Sequence, residues 1–168
     1  MGKVENDIYT SANGMFSLTV PVDLSSGGNG GVIDGDDNVV FTYMTDGEFS
    51  VNSFPHSRKI TEENKLSTTK NALKTITGQN RPYVYEEYFP SIKEGTTFIV
   101  IELPTENEHS PNILGIGAFW TKTRFIVVAA RQSTSAFFLA DDKSINNQIN
   151  MLKDLLLPVL KTVEVDNR

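Results

Sequence analysis

An antiparallel α+β fold is predicted by three features of this chain. Two turn dipeptides, Asn13-Gly14 and Asp46-Gly47, each join short strands. A run of apolar strand segments follows residue 83, and only two stretches carry helical spacing. The expected architecture is an antiparallel sheet of about six to eight strands. One helix lies between two strand groups, a second closes the chain, and both pack on the sheet. Nothing in the 168 residues repeats or reads as an inter-domain linker. Residues 1–168 are therefore read as one domain, with 1–7 disordered or left from cloning.

The opening hairpin pairs Ile8-Tyr9-Thr10 with Met15–Val20, where Phe16, Leu18 and Val20 alternate with Ser17 and Thr19. Pro21 ends it, and Ser25–Gly31 reads as a flexible loop. Val39–Met44 and Glu48–Phe54 form the second hairpin. Thr61 is placed to cap a helix whose first turn carries Glu62 and Glu63, opposite the positive end of the helix dipole. Leu66, Thr69, Leu73 and Ile76 form its apolar stripe, and Gly78 its C-terminal stop. Strands are expected at Tyr83–Phe89, Thr96–Leu103, Ile113–Trp120 and Arg124–Arg131. The nearly unbroken apolar run Phe125–Ala130 suits a strand covered on both faces. The last helix starts near Ser144 with Ile145, Ile149, Leu152, Leu156 and Val159 on one face. A kink or end is expected at Pro158, which cannot donate back to Asp154.

Composition excludes several chemistries. A formal charge of -6 repels phosphate backbones, and the densest cationic group is only Arg58-Lys59, so nucleic acid is not the expected partner. The absence of cysteine removes disulfides, thiolate nucleophiles and Cys-type zinc sites. The two histidines, His56 and His109, are far apart in sequence and read as exposed polar residues. The most apolar stretch, Leu152–Leu160, is interrupted by Lys153, Asp154 and Pro158 and is too short to span a bilayer. The N-terminus carries no apolar leader. The chain thus reads as a bacterial envelope or exported protein with its leader removed, or otherwise as cytoplasmic.

A resemblance covers most of the chain. Tyr9 followed by Gly14-Met15-Phe16-Ser17-Leu18-Thr19-Val20-Pro21 resembles the opening of PsbP-like and Mog-type (DcrB-like) domains: an aromatic, then Gly-Phe and alternating hydrophobics ending in Pro. Glu48–Pro55 leading into a helix is similar to that family's strand before its first helix. Ile92–Glu102, Phe119–Ala130 and Leu156–Val163 resemble its later strands and closing helix. The family includes photosystem II extrinsic subunits, Ran-binding nuclear import factors and bacterial envelope proteins. What the resemblance implies is a non-catalytic accessory role that acts through another protein, without a cofactor. Val22-Asp23-Leu24 stands where the family has a Trp after the first-strand proline, and no functional residue is carried over.

Each candidate for chemistry has a simpler reading beside it. Asp34, Asp36 and Asn38, with Asp37 between, match the first ligand positions of a calcium loop. Val39 then replaces the required Gly, and Thr45 the bidentate Glu, so a turn-forming acidic loop is the simpler reading. Glu86, Glu87, Glu94 and Glu102 supply carboxylates for a hydrolase, but nothing in their spacing selects a pair. No Gly-x-Ser-x-Gly elbow exists, and no Lys-Ser/Thr follows Gly27–Gly31 as a phosphate loop requires. Tyr83, Tyr85 and Tyr88, together with Phe137 and Phe138, are the candidate partner-binding aromatics. Core packing is their alternative, with Tyr83, Tyr85 and Phe89 on one strand face and Tyr88 on the other. The alternatives to a protein-binding domain are a carboxylate hydrolase and a secreted ligand- or metal-binding domain.

Overall fold

The structure, a computed structural model, describes residues 3–11, 14–19, 32–34, 38–42, 47–78, 82–103, 112–132 and 142–166. They form two antiparallel sheets and two helices. The small sheet has the order β1 (Lys3–Glu5), β2 (Ile8–Thr10), β3 (Phe16–Thr19), β11 (Glu164–Val165). The large sheet begins with β4 (Val32–Asp34), β5 (Asn38–Thr42) and β6 (Gly47–Pro55). It continues in space with β10 (Arg124–Gln132), β9 (Asn112–Trp120), β8 (Thr96–Leu103) and β7 (Tyr83–Phe89). Helix α1 (Lys65–Thr77) lies between the two strand groups in sequence and helix α2 (Asp142–Thr162) follows β10.

The two strand groups join where β10 pairs with β6, from Arg124↔Pro55 to Gln132↔Gly47. This makes Phe125–Ala130 the interior strand that its apolar run predicts, and all six residues are buried. Alternation along the strands creates two faces. On one, Phe49, Val51, Phe98, Val100, Ile126 and Val128 meet Leu152, Leu156 and Leu160 of α2, with Tyr9, Phe16 and Leu18 of the small sheet in the same cluster. Helix α2 comes close because Gly115 and Gly117 of β9 face it; a Cβ at Gly117 would overlap the Leu160 side chain. On the other face, Leu73 of α1 packs with Ile99, Ile101, Ile116, Trp120, Phe125 and Val127.

Five local expectations are corrected. Of the segment 1–7, residues 3–7 are part of the fold: Lys3–Glu5 pairs with Ile8–Thr10 through Asn6 and Asp7. Both turn residues have positive φ (51° and 63°), the conformation of a two-residue hairpin turn that Asn and Asp tolerate. Of the kink or end expected at Pro158, the end is excluded: helix α2 continues to Thr162 with Pro158 inside it. Proline there forfeits one backbone hydrogen bond, and burial of Val159 and Leu160 in the last turn offsets that loss. On α1 the buried stripe is Lys65, Thr69 and Leu73, whereas Leu66 and Ile76 are exposed, because the helix meets the sheet along one narrow i, i+4 row. A register shift between Tyr83 and Tyr85 turns Tyr83 toward the α1 face, beside Ile101, while Tyr85 and Phe89 keep the α2 face. Strands β4 and β11 were not expected at all. Val32–Asp34 and Glu164–Val165 are too short to show alternation.

Candidate functional site

The polar groups that the fold gathers lie at one end of the large sheet. There the β9–β10 hairpin tip, Thr121-Lys122-Thr123, projects between the β7–β8 turn, the start of α1 and β11. The tip is closed by Thr121 N–H donating to the Arg124 carbonyl (2.8 Å) and Arg124 N–H donating to Thr121 Oγ1 (2.9 Å). His56, the residue after β6, pins it from the side. Its backbone N–H donates to the Thr123 carbonyl at 3.0 Å, and its ring Nε2 lies 3.0 Å from the Thr121 carbonyl. A carbonyl only accepts, so Nε2 is the donor in this contact. His56 is thus a half-buried clamp rather than an exposed polar residue.

Trp120 forms the base of this region. The indole is buried, stacks on Phe125 (centroids 4.2 Å, planes at 28°) and meets the His56 ring edge-on at 4.8 Å. Its Nε1–H donates to Thr69 Oγ1 at 2.7 Å, and Thr69 in turn donates to the Lys65 carbonyl at 2.7 Å, which locks α1 to the hairpin. The turn leading into α1 is held by a reciprocal pair, Thr61 N–H to Asn64 Oδ1 (2.8 Å) and Asn64 N–H to Thr61 Oγ1 (3.3 Å). The helix starts after Asn64 and not after Thr61, and Glu62 and Glu63 precede its first turn, contrary to the expectation from sequence. The third element, the β7–β8 turn, carries three consecutive residues with positive φ: Lys93 (43°), Glu94 (58°) and Gly95 (104°). Two of them are not glycine, a conformation costing on the order of 1 kcal/mol or more each. The turn aims the Glu94 carbonyl at Lys65, whose buried ammonium also donates to Glu62 Oε1 at 2.6 Å.

Two clefts flank the hairpin tip and share Glu94, Trp120, Thr121 and Lys122 as a common wall. The first, ≈ 580 Å³, opens toward α1 and is lined by Arg58, Lys59, Lys65 and Lys122 against the carboxylates Glu62 and Glu94. The second, ≈ 510 Å³, opens toward the small sheet between Lys93, Phe119 and Trp120 on one side and Val163, Glu164 and Val165 on the other. Lys65 is internally paired. Arg58, Lys59, Lys93 and Lys122 have no carboxylate partner among the described residues. On a chain of charge -6, the first cleft is thus a local cationic surface.

Of the residues singled out from sequence, Glu94 and His56 belong to this region, whereas the three tyrosines and the Glu86–Glu87 pair lie on β7. Tyr85 packs against Phe98 and shares its hydroxyl with Glu87 and Lys153. Tyr83 is half-buried and its phenol is pushed above the usual range, first by burial and then by Glu86. Tyr88 is exposed, with its hydroxyl over Gly95 and so beside the β7–β8 turn. Glu86 and Glu87 point to opposite faces, opposite Ile99 and Phe98, and bind Lys70 (2.6 Å) and Lys153 (2.8 Å) respectively; they do not converge. Asp34 and Asn38 are strand residues of β4 and β5, while their side chains and Asp36, Asp37, His109, Phe137 and Phe138 lie outside the described residues. Among the described residues no group of three His, Asp or Glu is placed to hold a metal ion, and no helix is long and apolar enough to cross a membrane. Sequence reading missed Lys65, Lys93 and Lys122 because they come from the first residue of α1 and two separate turns that only the tertiary fold brings together. Arg58-Lys59 was their one visible trace.

Comparison with known proteins places the fold. No family model matches the sequence, and no curated protein matches it. Among solved structures, the Ran-binding protein Mog1p of Saccharomyces cerevisiae superposes with a TM-score of 0.62 at 10% identity, covering 97% of this chain and 96% of its own. A mutant of protein Mog1 gives 0.60 at 10% identity, with 96% of each chain covered. A protein of Bacteroides thetaiotaomicron gives 0.55 at 12% identity over 98% of this chain; the chain spans only 50% of that protein's length. Identities this low carry architecture and nothing finer. Two antiparallel sheets, a mid-chain helix and a closing helix, matched end to end, give this chain the Mog1-like α+β fold.

Proposed function

We propose that this chain is a non-catalytic protein-binding domain and that its recognition surface is the hairpin end of the large sheet. The observation that carries this reading is the pair of adjoining clefts on either side of Thr121-Lys122-Thr123, framed by three separate turns and floored by one buried indole. Concave, mixed polar and aromatic surfaces of this kind suit a partner's protruding segment. The fold likeness to a Ran-binding protein supports a binding role at the level of architecture. Among the described residues lining the clefts, His56 engages two backbone carbonyls of the hairpin tip through its ring and its backbone N–H.

The chain has no cysteine, so a Lys122→Cys variant carrying a benzophenone photocrosslinker is labelled at one site. Irradiated in lysate of the source organism, it is expected to form a discrete protein adduct that excess unlabelled chain competes away. The same label at Asn71→Cys, on the exposed side of α1, is expected to form none. Equal adducts from both sites, or none that compete, would remove the hairpin end as the recognition surface.

A further inference from the structure

Resting on that reading, we infer that the segment this surface takes is acidic and extended, with carboxylates in the cleft beside α1 and an apolar side chain in the cleft beside β11. The two clefts differ in a way that assigns these roles. The first has Arg58, Lys59, Lys65 and Lys122 on its walls against Glu62 and Glu94; with Lys65 and Glu62 paired to each other, three cations remain against one carboxylate. The second balances Lys93 and Lys122 against Glu94 and Glu164, and its remaining walls are Phe119, Trp120, Val163 and Val165. Lys122 stands on the ridge between them and belongs to both.

The cations that carry the inference are those without partners among the described residues: Arg58, Lys59 and Lys122 around the first cleft, with Lys93 beyond the ridge. Outside the clefts, Lys70 and Lys153 are each paired with a glutamate, while Lys74 on α1 and Lys161 on α2 are unpaired among the described residues but stand singly rather than in a group. Leaving like charges together beside a -6 chain's own carboxylates forgoes available pairing, which suits a surface completed by anions from outside. A peptide rather than a nucleic acid fits the arrangement. Glu62, Glu94 and Glu164 on the rims oppose a continuous phosphate chain, whereas a polypeptide can place its acids selectively and offer an apolar side chain to the half-buried Val165.

Trp120 is the only tryptophan and contributes to both clefts, so its emission reports occupancy directly. The probe is a dodecapeptide of Asp and Glu with two Leu, titrated into the full chain, beside the same peptide with every acid replaced by Ser and a single-stranded RNA twelve-mer. The acidic peptide is expected to shift the Trp120 emission saturably and to bind more weakly as salt rises. Arg58→Glu and Lys122→Glu should each weaken it about tenfold, and Lys74→Glu, on the exposed face of α1, should leave it unchanged. Far-ultraviolet circular dichroism of each variant confirms that it is folded. Equal weakening by Lys74→Glu would reduce the effect to net charge and overturn the inference, as would tighter binding of the Ser peptide or of the RNA, or no binding of the acidic peptide. If the Lys122 photocrosslink still yields a competed adduct in that case, the protein-binding reading stands and only the acidic segment falls.

Discussion

The β7 edge of the large sheet and its hairpin end are both charged, yet they use charge in opposite ways. On β7, Glu86 is held by Lys70 on one face and Glu87 by Lys153 on the other. Lys153 also lies over the Tyr85 and Phe89 rings (5.1 and 5.6 Å), and Pro82 and Pro90 bracket the strand. These are devices that keep an edge strand from pairing with a second chain. At the hairpin end, Arg58, Lys59, Lys93 and Lys122 stand without carboxylate partners among the described residues, and a left-handed backbone run is retained beside them. The first region spends its charges on the fold. The second leaves its cations outside the internal pairing, and strain persists there because buried groups around it fix the turn.

That difference is sharpest where the hairpin end touches the core. Trp120→Ala removes the stack on Phe125, the bond to Thr69 and the wall common to both clefts. It is expected to cost about 3–5 kcal/mol, the usual range for a buried Trp, read from urea unfolding by circular dichroism. A cost under about 1 kcal/mol would mean the indole is not the base on which the clefts stand. Gly95→Ala comes next. At a φ of 104° an added Cβ is strained, and it would overlap the Tyr88 hydroxyl. A loss of about 1–3 kcal/mol is expected by the same measurement.

How much of this was legible in the sequence follows the same division. The fold was legible because it is written in local patterns. Gly14 does adopt positive φ (69°) ahead of β3, and Phe125–Ala130 reads as an interior strand because each of its residues is apolar. Where a pattern was too short the reading failed: Lys3–Glu5 is mostly polar, and only Asn6-Asp7 between Val4 and Ile8 signalled a hairpin. The face assignment of Tyr83 failed for another reason, since a bulge shifts the period of two without leaving a mark in composition. The candidate site was hardly legible. Lys65, Lys93 and Lys122 sit in separate segments, and their meeting depends on β9 pairing with both β8 and β10. Lys65 was also hidden by its type, because a lysine on a predicted solvent face gives no sign that its ammonium will be capped by a turn carbonyl.

At the edge, Lys153→Met tests whether charge stabilises β7. Lys153, then Tyr85, holds the Glu87 carboxyl below the usual carboxylate range; Glu87, then Tyr85, holds Lys153 above the usual lysine range. A depressed carboxylate stabilises above its unfolded pKa and loses that contribution as pH falls through the folded one. A raised lysine stabilises below its unfolded pKa and loses the contribution as pH rises through the folded one. The wild type should therefore exceed Lys153→Met by a constant margin across neutral pH, with the margin shrinking below about pH 4 and above about pH 10.5. Both groups are partly exposed, so the margin is at most about 1 kcal/mol. A margin that does not change with pH would assign the effect to the aliphatic stem packed on Tyr85 and Phe89 instead.

The smallest expected effect on stability is the one that separates the two regions. Arg58→Glu and Lys122→Glu remove exposed cations that pair with no described carboxylate, so the unfolding free energy from urea titration should change by less than about 0.5 kcal/mol in either variant. A slight gain is as consistent as a slight loss, because relieving repulsion among Arg58, Lys59 and Lys122 opposes the new repulsion from Glu62 and Glu94. A loss above about 1 kcal/mol in both would show that these cations hold the hairpin as Lys153 holds the edge, and the distinction between the regions would vanish. With stability unchanged and acidic-peptide affinity lost, the same substitutions locate the function of those side chains outside the fold. That pairing of results is available at the hairpin end and not on β7, where Lys70 and Lys153 cannot change sign without leaving Glu86 and Glu87 beside a like charge.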